Sequence, residues 1–248
     1  MAAEDVVAKK YASGILVGII IIYLAKKYGK QYLINLYRLV YAWILNRFGN
    51  RYSKLMKKFK EELLSDIGNI VKTEPLEILE IGAGGGQNFK FFPRGSHVTC
   101  VDPNPFFDEY LKKNLDIFPH VKLNKFIVAP AEDMSQVPDE SIDIVVCTLV
   151  LCSVDNQAKV FSEILRILKK GGKFYYLEHV AAARNTWIRK LQDFLSGIWW
   201  FISDGCTLNQ EPWIILEKSG FSKNDHKQFY SPIKMKLLAP HFMGCSTK

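Results

Sequence analysis

Apolar and polar residues follow two alternating patterns from residue 76 to the C-terminus. Short runs rich in Ile and Val, typical of buried strands, occupy residues 76–81, 97–101, 121–128, 142–147 and 173–179. Apolar residues at helical spacing mark residues 106–115, 156–168 and 211–218. Strands that alternate with helices form right-handed βαβ crossovers and a mostly parallel sheet. The pattern therefore predicts a Rossmann-like α/β fold with helices on both faces of the sheet.

Two further signals predict how individual elements end. Gly171-Gly172 is interpreted as the stop of the helix that precedes the fifth strand. Residues 221–230 and 233–240 are predicted to form an antiparallel pair of strands that closes the sheet.

The first 50 residues have a different character. Residues 11–25 form a run of fifteen uncharged, mostly apolar residues between two Lys-Lys pairs. A helix needs about 20 residues to cross the hydrocarbon core, so this run fits either a short crossing or a helix in the membrane interface. Residues 32–45 are also apolar and aromatic, but Arg38 in their middle favours an interfacial helix or a re-entrant hairpin. Since no cleavage-site pattern is present, we interpret the segment as a retained membrane anchor, with buried core helices as the alternative.

A boundary is predicted at Gly49-Asn50, and residues 51–71 then show apolar side chains at helical spacing. The other face of this helix is interpreted as solvated or directed toward anionic lipid, because it carries Lys54, Lys57, Lys58 and Lys60. The chain is thus predicted to contain a membrane anchor at residues 1–50, an amphipathic linker helix at 51–75 and the α/β domain at 76–248.

Charge is distributed unevenly along the chain. The formal net charge is +8, but residues 1–60 hold twelve of the 33 Lys and Arg residues and only two of the 25 acidic ones. The remainder has 21 basic and 23 acidic residues, and therefore no excess positive charge for a phosphate backbone. This distribution counts against a nucleic-acid-binding protein.

The five cysteines contain no Cys-x-x-Cys pair and no histidine-rich partner set. Zinc sites normally take their ligands at short spacing, so the sequence predicts no metal site. We interpret all five as reduced thiols that face the cytosol; they are Cys100, Cys147, Cys152, Cys206 and Cys245.

The strongest chemical motif is E-I-G-A-G-G-G-Q, residues 80–87, directly after the first predicted strand and before a predicted helix. Glycines let the backbone approach a ligand closely. Gln87 stands where a dinucleotide fingerprint requires glycine, whereas E-x-G-x-G-x-G fits enzymes that bind S-adenosylmethionine (SAM). The Glu80 carboxylate is expected to receive the ammonium of the methionine moiety, and it would repel a pyrophosphate. The motif predicts cofactor contacts from Glu80, Gly82, Ala83, Gly84 and Gly86.

An acidic residue after the second strand supports the same cofactor. Asp102 lies twenty residues after Gly82, where a carboxylate accepts hydrogen bonds from the ribose hydroxyls. Ala131 and Glu132 follow the third strand and are placed at the adenine. The remaining predicted cofactor contacts are Pro103, Asn104 and Thr148.

The run D-P-N-P, residues 102–105, resembles the D/N-P-P-Y/F motif of amino-group methylases, but that motif follows the fourth strand. There this chain has C-T-L-V, residues 147–150. The groups that hold an exocyclic amine are therefore missing, which counts against methylation of an adenine or glutamine nitrogen.

Several longer runs resemble one family, the membrane-associated methyltransferase-like proteins described as alkyl-thiol S-methyltransferases, of the class I SAM-dependent type. These runs are L-E-I-G-A-G-G-G-Q-N-F-K-F-F-P, V-T-C-V-D-P-N-P, A-E-D-M, V-V-C-T-L-V-L-C-S-V, E-H-V-A-A and D-G-C-T-L. The resemblance implies an enzyme of endoplasmic reticulum and lipid-droplet surfaces that methylates small lipophilic thiols and hydrogen sulfide, with its catalytic domain facing the cytosol. The family's loop reads G-C-G-T-G, where this chain has Ala83 and Gly85 in place of Cys and Thr.

Two residues are predicted as catalytic, His179 at the end of the fifth strand and Asp204 in the D-G-C run. Four aromatic residues allow three interpretations: they line an apolar acceptor pocket, belong to the core or contact a membrane. These residues are Trp187, Trp199, Trp200 and Phe201. Two alternatives stay open at this point: a membrane-bound O- or C-methyltransferase of a lipid or quinone, and a non-catalytic lipid-droplet scaffold.

Overall fold

The computed structural model describes the backbone of residues 2–70 and 73–248, and the side chains of Tyr23 and of residues 26–70 and 73–248. The chain forms two compact units, Met1–Ile44 and Leu45–Lys248, and one long helix, α1 (Ala2–Leu55), contains the boundary between them. The backbone of the predicted anchor run, residues 11–25, is helical. Its side chains other than Tyr23 lie outside the described ones.

The described side chains of the first unit are largely exposed. Its large apolar groups include Tyr32 at 69%, Leu33 at 65% and Trp43 at 57% exposure. In the part of the chain that the structure describes, no helix is both long and apolar enough to cross a membrane. Helix α1 continues through Gly49 and Asn50, where the sequence predicted a boundary, because a glycine inside a helix costs only about 1 kcal/mol.

The second unit is built on one seven-stranded sheet with helices around it. Its strands are β1 (Glu77–Ile81), β2 (His97–Val101), β3 (Lys122–Ile127), β4 (Ile142–Thr148), β5 (Leu168–His179), β6 (Lys223–Tyr230) and β7 (Pro240–Thr247). The shorter helices are α2 (Lys57–Leu64), α3 (Asp108–Ile117), α4 (Gln157–Ile167), α5 (Trp187–Ile202) and α6 (Pro212–Leu216).

The strand order is β3-β2-β1-β4-β5-β7-β6. The first five strands are parallel, and β7 pairs antiparallel with both β5 and β6. The predicted Rossmann-like, mostly parallel sheet with an antiparallel closing strand is thereby confirmed. Since the order reverses at β1 and β4, the carboxyl ends of these two strands border the crevice where such sheets bind ligands.

The closing pair differs from the prediction in its second strand. Residues 233–239 hold turns and a short 3₁₀ helix, Lys236–Leu238, and β7 begins only at Pro240. A Cβ on Gly244 would lie 2.3 Å from the Asp225 carbonyl oxygen, so close pairing of β6 and β7 requires glycine there. A strand that contains Gly, Cys and Ser has weak intrinsic strand preference, which hid it from the sequence pattern.

Gly171-Gly172 does not stop the preceding helix. Helix α4 ends at Ile167, and both glycines lie inside β5, where the register against β4 shifts between Ile142 and Ile144. Gly171 has a φ of 74°, which accommodates this irregularity.

The last turns of α1 are fixed to the sheet by a buried polar pair. The ring nitrogen Nδ1 of His241 lies 3.1 Å from the Ala239 carbonyl and donates to it, so Nε2 accepts from the Tyr52 hydroxyl at 3.1 Å. Burial lowers the pKa of His241 to about 4, so the ring is neutral at pH 7. Around this pair lies an apolar cluster of Tyr52, Met56, Leu177 and Met243.

Candidate active site

The loop after β1 bends at three glycines. Gly82, Gly84 and Gly86 have φ values of 62°, 50° and 75°, in the left-handed region that favours glycine. A Cβ on Gly82 would lie 2.2 Å from Val150, and one on Gly86 would lie 2.6 Å from the Phe89 ring. The loop leads through turns to a short 3₁₀ helix, Phe89–Phe91. The α-helix predicted directly after this motif is therefore wrong, because left-handed residues interrupt helical geometry.

Glu80 of β1 is buried within a polar network. The Asn88 amide nitrogen donates to Glu80 Oε1 at 2.8 Å and to Thr148 Oγ1 at 2.9 Å. The Asn88 amide oxygen accepts from the Lys60 ammonium at 2.7 Å. The second carboxylate oxygen of Glu80 is buried and has no hydrogen-bond partner among the described residues.

Lys60 does not lie on a solvated or lipid-facing surface, as the run of lysines suggested. Its side chain is 3% exposed, whereas Lys58 on the same helix is exposed. Met56 and Leu64 are buried, and Lys60 lies four residues from each of them. Since residues four apart share a helix face, Lys60 lies on the buried face of α2. Burial lowers the pKa of Lys60 and raises that of Glu80, and the opposite charge of each group partly offsets the shift of the other.

Asp102 follows β2 and is buried next to the glycine loop. Its Oδ2 accepts from the Gly84 amide at 3.1 Å, and its Oδ1 accepts from the Asn104 amide at 2.9 Å. Burial raises the pKa of Asp102 to about 6, although both amide hydrogen bonds favour the carboxylate. The carboxylate thus holds the loop after β1 against the loop after β2.

The other predicted cofactor residues lie around this pair of loops. Pro103 is exposed, and Asn104 accepts from the Phe106 amide at 3.1 Å to begin a 3₁₀ turn. Ala131 is buried after β3. Glu132 accepts from the backbone amides of residues 155 and 156 at 2.8 and 3.2 Å, so its carboxylate joins the loop after β3 to the loop before α4.

At the carboxyl ends of β4 and β5, two sulfurs and an imidazole meet. His179 Nε2 lies 3.1 Å from Cys206 Sγ, and Cys206 Sγ lies 3.5 Å from Cys152 Sγ. The Trp199 indole N–H donates to Cys206 at 3.4 Å. Hydrogen bonding with Cys152 and with His179 lowers the pKa of the Cys206 thiol, and the Cys152–Cys206 hydrogen bond raises the pKa of the Cys152 thiol. We refer to Cys152, His179 and Cys206 as the sulfur–imidazole cluster.

Two acidic residues lie beside this cluster. Glu178 is fully buried and accepts from the Val150 amide at 3.0 Å, so it supports the loop after β4, and burial raises its pKa to about 7. Asp204 has a φ of 53° in the turn after α5. It lies two residues before Cys206 of the cluster.

The structure therefore brings together residues that sequence reasoning treated separately or missed. Glu80 and Thr148 share one partner, Asn88, and Asp102 contacts Gly84 directly. Asn88 and Lys60 gave no motif signal. Cys152 and Cys206 lie in two runs that resemble the family, L-C-S and D-G-C. Because 54 positions separate them along the chain, the sequence did not indicate that their sulfurs meet.

A SAM molecule fits this arrangement. An added Cβ at Gly84 would meet only Gln87 at 3.7 Å and Phe107 at 3.9 Å, so the backbone of the bend is open to a ligand at that residue. Glu80 offers an unpartnered buried oxygen to an ammonium, and each Asp102 oxygen has a lone pair left for a ribose hydroxyl. The fold and these residues define the chain as a class I SAM-dependent methyltransferase.

Comparison with known proteins assigns the family. Residues 79–176 match the family described as a methyltransferase domain. The chain is 42% identical to the Homo sapiens thiol S-methyltransferase TMT1A over 84% of its own length and 86% of the relative. It is 41% identical to Homo sapiens thiol S-methyltransferase TMT1B over 79% and 81%. The chain therefore belongs to the thiol S-methyltransferase family.

A solved structure shares the fold at lower identity. Geranyl diphosphate methyltransferase in complex with SAM matches with a TM-score of 0.57 and 15% identity, over 77% of this chain and 84% of that one.

Proposed function

We propose that this chain transfers the methyl group of SAM to small lipophilic thiols, and to hydrogen sulfide, at a membrane surface. The observation that carries the proposal is the position of the sulfur–imidazole cluster at the same sheet edge as Gly84 and Asp102. Relatives named thiol S-methyltransferases, 41 and 42% identical to this chain, support sulfur as the acceptor atom.

Methyl transfer to sulfur is an in-line displacement. Bound SAM supplies a methyl group on a positively charged sulfonium. The acceptor thiol would release its proton to solvent, its sulfur would form the new bond to the methyl carbon, and the methyl–sulfonium bond would break with its electron pair left on the departing sulfur. A thiol with a pKa of about 8.5 is already a few per cent thiolate at pH 7, so alignment and exclusion of water contribute most of the rate.

In this proposal the residues predicted as catalytic orient the acceptor. His179 faces Cys206 through Nε2, and its Nδ1 is buried with no hydrogen-bond partner among the described residues. Asp204 lies in the adjacent turn. Trp199 of helix α5 contacts Cys206 and thus covers one side of the cluster.

Helix α5 supports the membrane part of the proposal, because its apolar side faces outward. Its buried positions are polar: Gln192 accepts from the Ala182 amide at 2.8 Å, and Ser196 donates to Asn209 at 2.9 Å. Most of its exposed positions are large and apolar, including Trp187 at 64%, Phe194 at 78%, Ile198 at 63%, Phe201 at 79% and Ile202 at 62%, while Lys190 and Asp193 are also exposed. An exposed apolar helix face of this kind fits the interface of a lipid bilayer.

We further propose that residues 1–50 hold the enzyme at endoplasmic reticulum and lipid-droplet surfaces, with residues 76–248 facing the cytosol. The basic and apolar composition of the first 60 residues supports this arrangement, as do the exposed Tyr32, Leu33 and Trp43.

The acceptor is tested with matched substrates. The full-length chain in phospholipid nanodiscs is given methyl-labelled SAM with hexanethiol, hexanol or a short-chain quinol. We expect labelled methyl hexyl sulfide from the thiol and background label in the other two products. Methylation of the alcohol or quinol at a rate equal to or above that of the thiol would contradict the proposal and favour a lipid or quinone methyltransferase.

A further inference from the structure

The sulfur–imidazole cluster has the composition of a metal site. Its three ligand atoms, two sulfurs and one imidazole nitrogen, all lie within 4.8 Å of one another. Cys152 and His179 are buried, and Cys206 is half-buried and so is the most exposed member of the cluster. Thiolate and imidazole are the ligands that zinc prefers in proteins.

The separations are close to those of tetrahedral zinc. Bond lengths of about 2.3 Å to sulfur and 2.0–2.1 Å to nitrogen place two sulfurs roughly 3.8 Å apart and a nitrogen and sulfur roughly 3.5 Å apart. The structure has 3.5 Å between Cys152 Sγ and Cys206 Sγ, and 3.1 Å between His179 Nε2 and Cys206 Sγ. The third separation, between Cys152 Sγ and His179 Nε2, is at most 4.8 Å, so small side-chain rotations would bring all three ligand atoms to bonding distance of one ion.

We propose that Cys152, His179 and Cys206 bind one Zn²⁺ ion, with the fourth coordination position open. Three protein ligands and one open position are typical of catalytic rather than structural zinc. Because two thiolates balance the charge of the ion, the loaded site is neutral when the imidazole is neutral.

The surroundings hold the ligands in place. The Cys152 carbonyl accepts from both the amide and the hydroxyl of Thr207, at 2.9 and 3.0 Å, so the segments that carry the two cysteines are joined. The Trp199 indole N–H points at Cys206 Sγ, the kind of outer hydrogen bond that orients a metal ligand. His179 is fixed at the end of β5, which pairs with β7 up to His241.

The open position gives the ion a role in the proposed reaction, and this step rests on the proposed function. An acceptor thiol that binds Zn²⁺ releases its proton to solvent and stays bound as a thiolate, since a coordinated thiol is deprotonated. His179 would then act by coordination and not as a general base. Cys206, the most exposed member of the cluster, contacts Trp199 of α5, the helix whose exposed side chains are mostly apolar, which is consistent with a lipophilic acceptor.

The test measures metal directly. The full-length chain is purified in detergent with a phosphine reductant and no chelator, incubated with Zn²⁺, desalted and analysed by elemental mass spectrometry. We expect one zinc per chain for the wild type. Cys152→Ser, His179→Ala and Cys206→Ser should each lose most of it, while the matched control Cys245→Ser on β7 should keep it. SAM calorimetry on every variant shows that the fold is intact.

Cobalt supplies a second readout. Co²⁺ in the wild type should show the thiolate charge-transfer and visible bands of a tetrahedral sulfur site, and hexanethiol should shift the visible bands. Equal metal content in wild type and cysteine variants would overturn the site, as would a Cys152–Cys206 disulfide in reduced, metal-treated protein. Thiol methylation that persists in metal-free protein would overturn the zinc role and leave the proposed function standing. Zinc binding without thiol methylation would support the site and contradict the proposed function.

Discussion

At the scale of single residues, Asp102 is bound to the protein backbone before any ligand is present. Both of its oxygens accept backbone amides, from Gly84 and Asn104, and this fixes the position of the carboxylate. Fixed acceptors bind a ligand without a further ordering cost. Burial of the Asp102 carboxyl raises its pKa to about 6, so its charge changes near physiological pH.

We therefore predict that SAM affinity depends on pH through Asp102. The ribose contact requires the carboxylate, so protonation of the free protein competes with binding. The dissociation constant of SAM should rise as pH falls through 6, by about tenfold per pH unit below it. Calorimetry between pH 5 and 8 measures the slope. Asp102→Asn should bind more weakly with a flat profile, and an unchanged slope in that variant would assign the titration to another group.

The glycine loop permits a matched pair of alanine substitutions. Gly86→Ala places a Cβ 2.6 Å from the Phe89 ring at a φ of 75°, so we expect a loss of about 2 kcal/mol in the free energy of unfolding and weaker SAM binding. Gly197→Ala on α5 meets nothing within 4 Å and should raise stability by about 0.5–1 kcal/mol. Denaturant unfolding measures both. A Gly86→Ala protein as stable as the wild type would contradict the bend.

At the scale of elements, helix α2 reaches the cofactor site through one buried cation. Lys60 binds Asn88, and Asn88 binds both Glu80 of β1 and Thr148 of β4. The network joins a helix outside the predicted α/β domain to the two central strands. The linker helix predicted at residues 51–75 therefore contributes to the site that it was expected only to precede.

Removal of this cation should leave the Glu80 carboxylate without its stabilising charge. We expect Lys60→Met to lower the free energy of unfolding by about 3 kcal/mol, whereas the exposed Lys58→Met should leave it unchanged. Adding Glu80→Gln to Lys60→Met should recover part of the loss, with a coupling energy of about 1–3 kcal/mol in a double-mutant cycle. Additive effects of the two substitutions would show that the groups do not interact.

Elements with strong periodicity were predictable from the sequence. The central strands β1 and β4 are rich in Ile and Val because strands buried on both faces are apolar along their length. The edge strand β3 has one buried residue in six, and its three apolar residues were still enough for the pattern to detect it. Two elements were predicted wrongly, the helix after β1 and the second strand of the closing pair, and local backbone geometry explains both. Three left-handed glycines prevent a helix after β1, and close pairing at Gly244 selects small residues in β7.

The site was predictable only where one short motif carries it. Glu80 with Gly84, and Asp102 at the next strand end, are visible because βα geometry places them at fixed spacing. The sulfur–imidazole cluster joins positions from three separate segments, and no local pattern encodes that meeting. Lys60 resembled its neighbours in a lysine-rich helix, and only tertiary packing distinguishes it.

At the scale of the whole molecule, helix α5 links the proposed membrane surface to the site. Its buried side is polar, its exposed side is apolar, and Trp199 on it contacts Cys206. A lipophilic thiol dissolved in the bilayer would therefore meet α5 next to the sheet edge that holds the cofactor residues. Among the aromatic residues for which the sequence left three interpretations, pocket, core or membrane, Trp187, Trp200 and Phe201 are each more than half exposed, as the proposed membrane contact requires, whereas Trp199 contacts Cys206.

Contact of α5 with lipid can be measured through its own tryptophans. In a Trp43→Phe background, which removes the anchor tryptophan, vesicles with brominated acyl chains should quench the fluorescence of Trp187 and Trp200, because both side chains would enter the interface. Adding Trp187→Phe and Trp200→Phe should remove most of the quenching and leave the signals of the half-buried Trp199 and Trp213. Equal quenching with and without these two residues would place α5 away from lipid.

The central claim is that the glycine bend and Asp102 together hold SAM. Titration calorimetry of the full-length chain at pH 7.5 tests it most directly, with Asp102→Ala as the comparison. We predict one SAM bound per wild-type chain and an affinity at least about tenfold weaker in Asp102→Ala, the loss expected for hydrogen bonds to a charged group. A wild-type chain that gives no binding heat, or a variant that binds as tightly as the wild type, would contradict it.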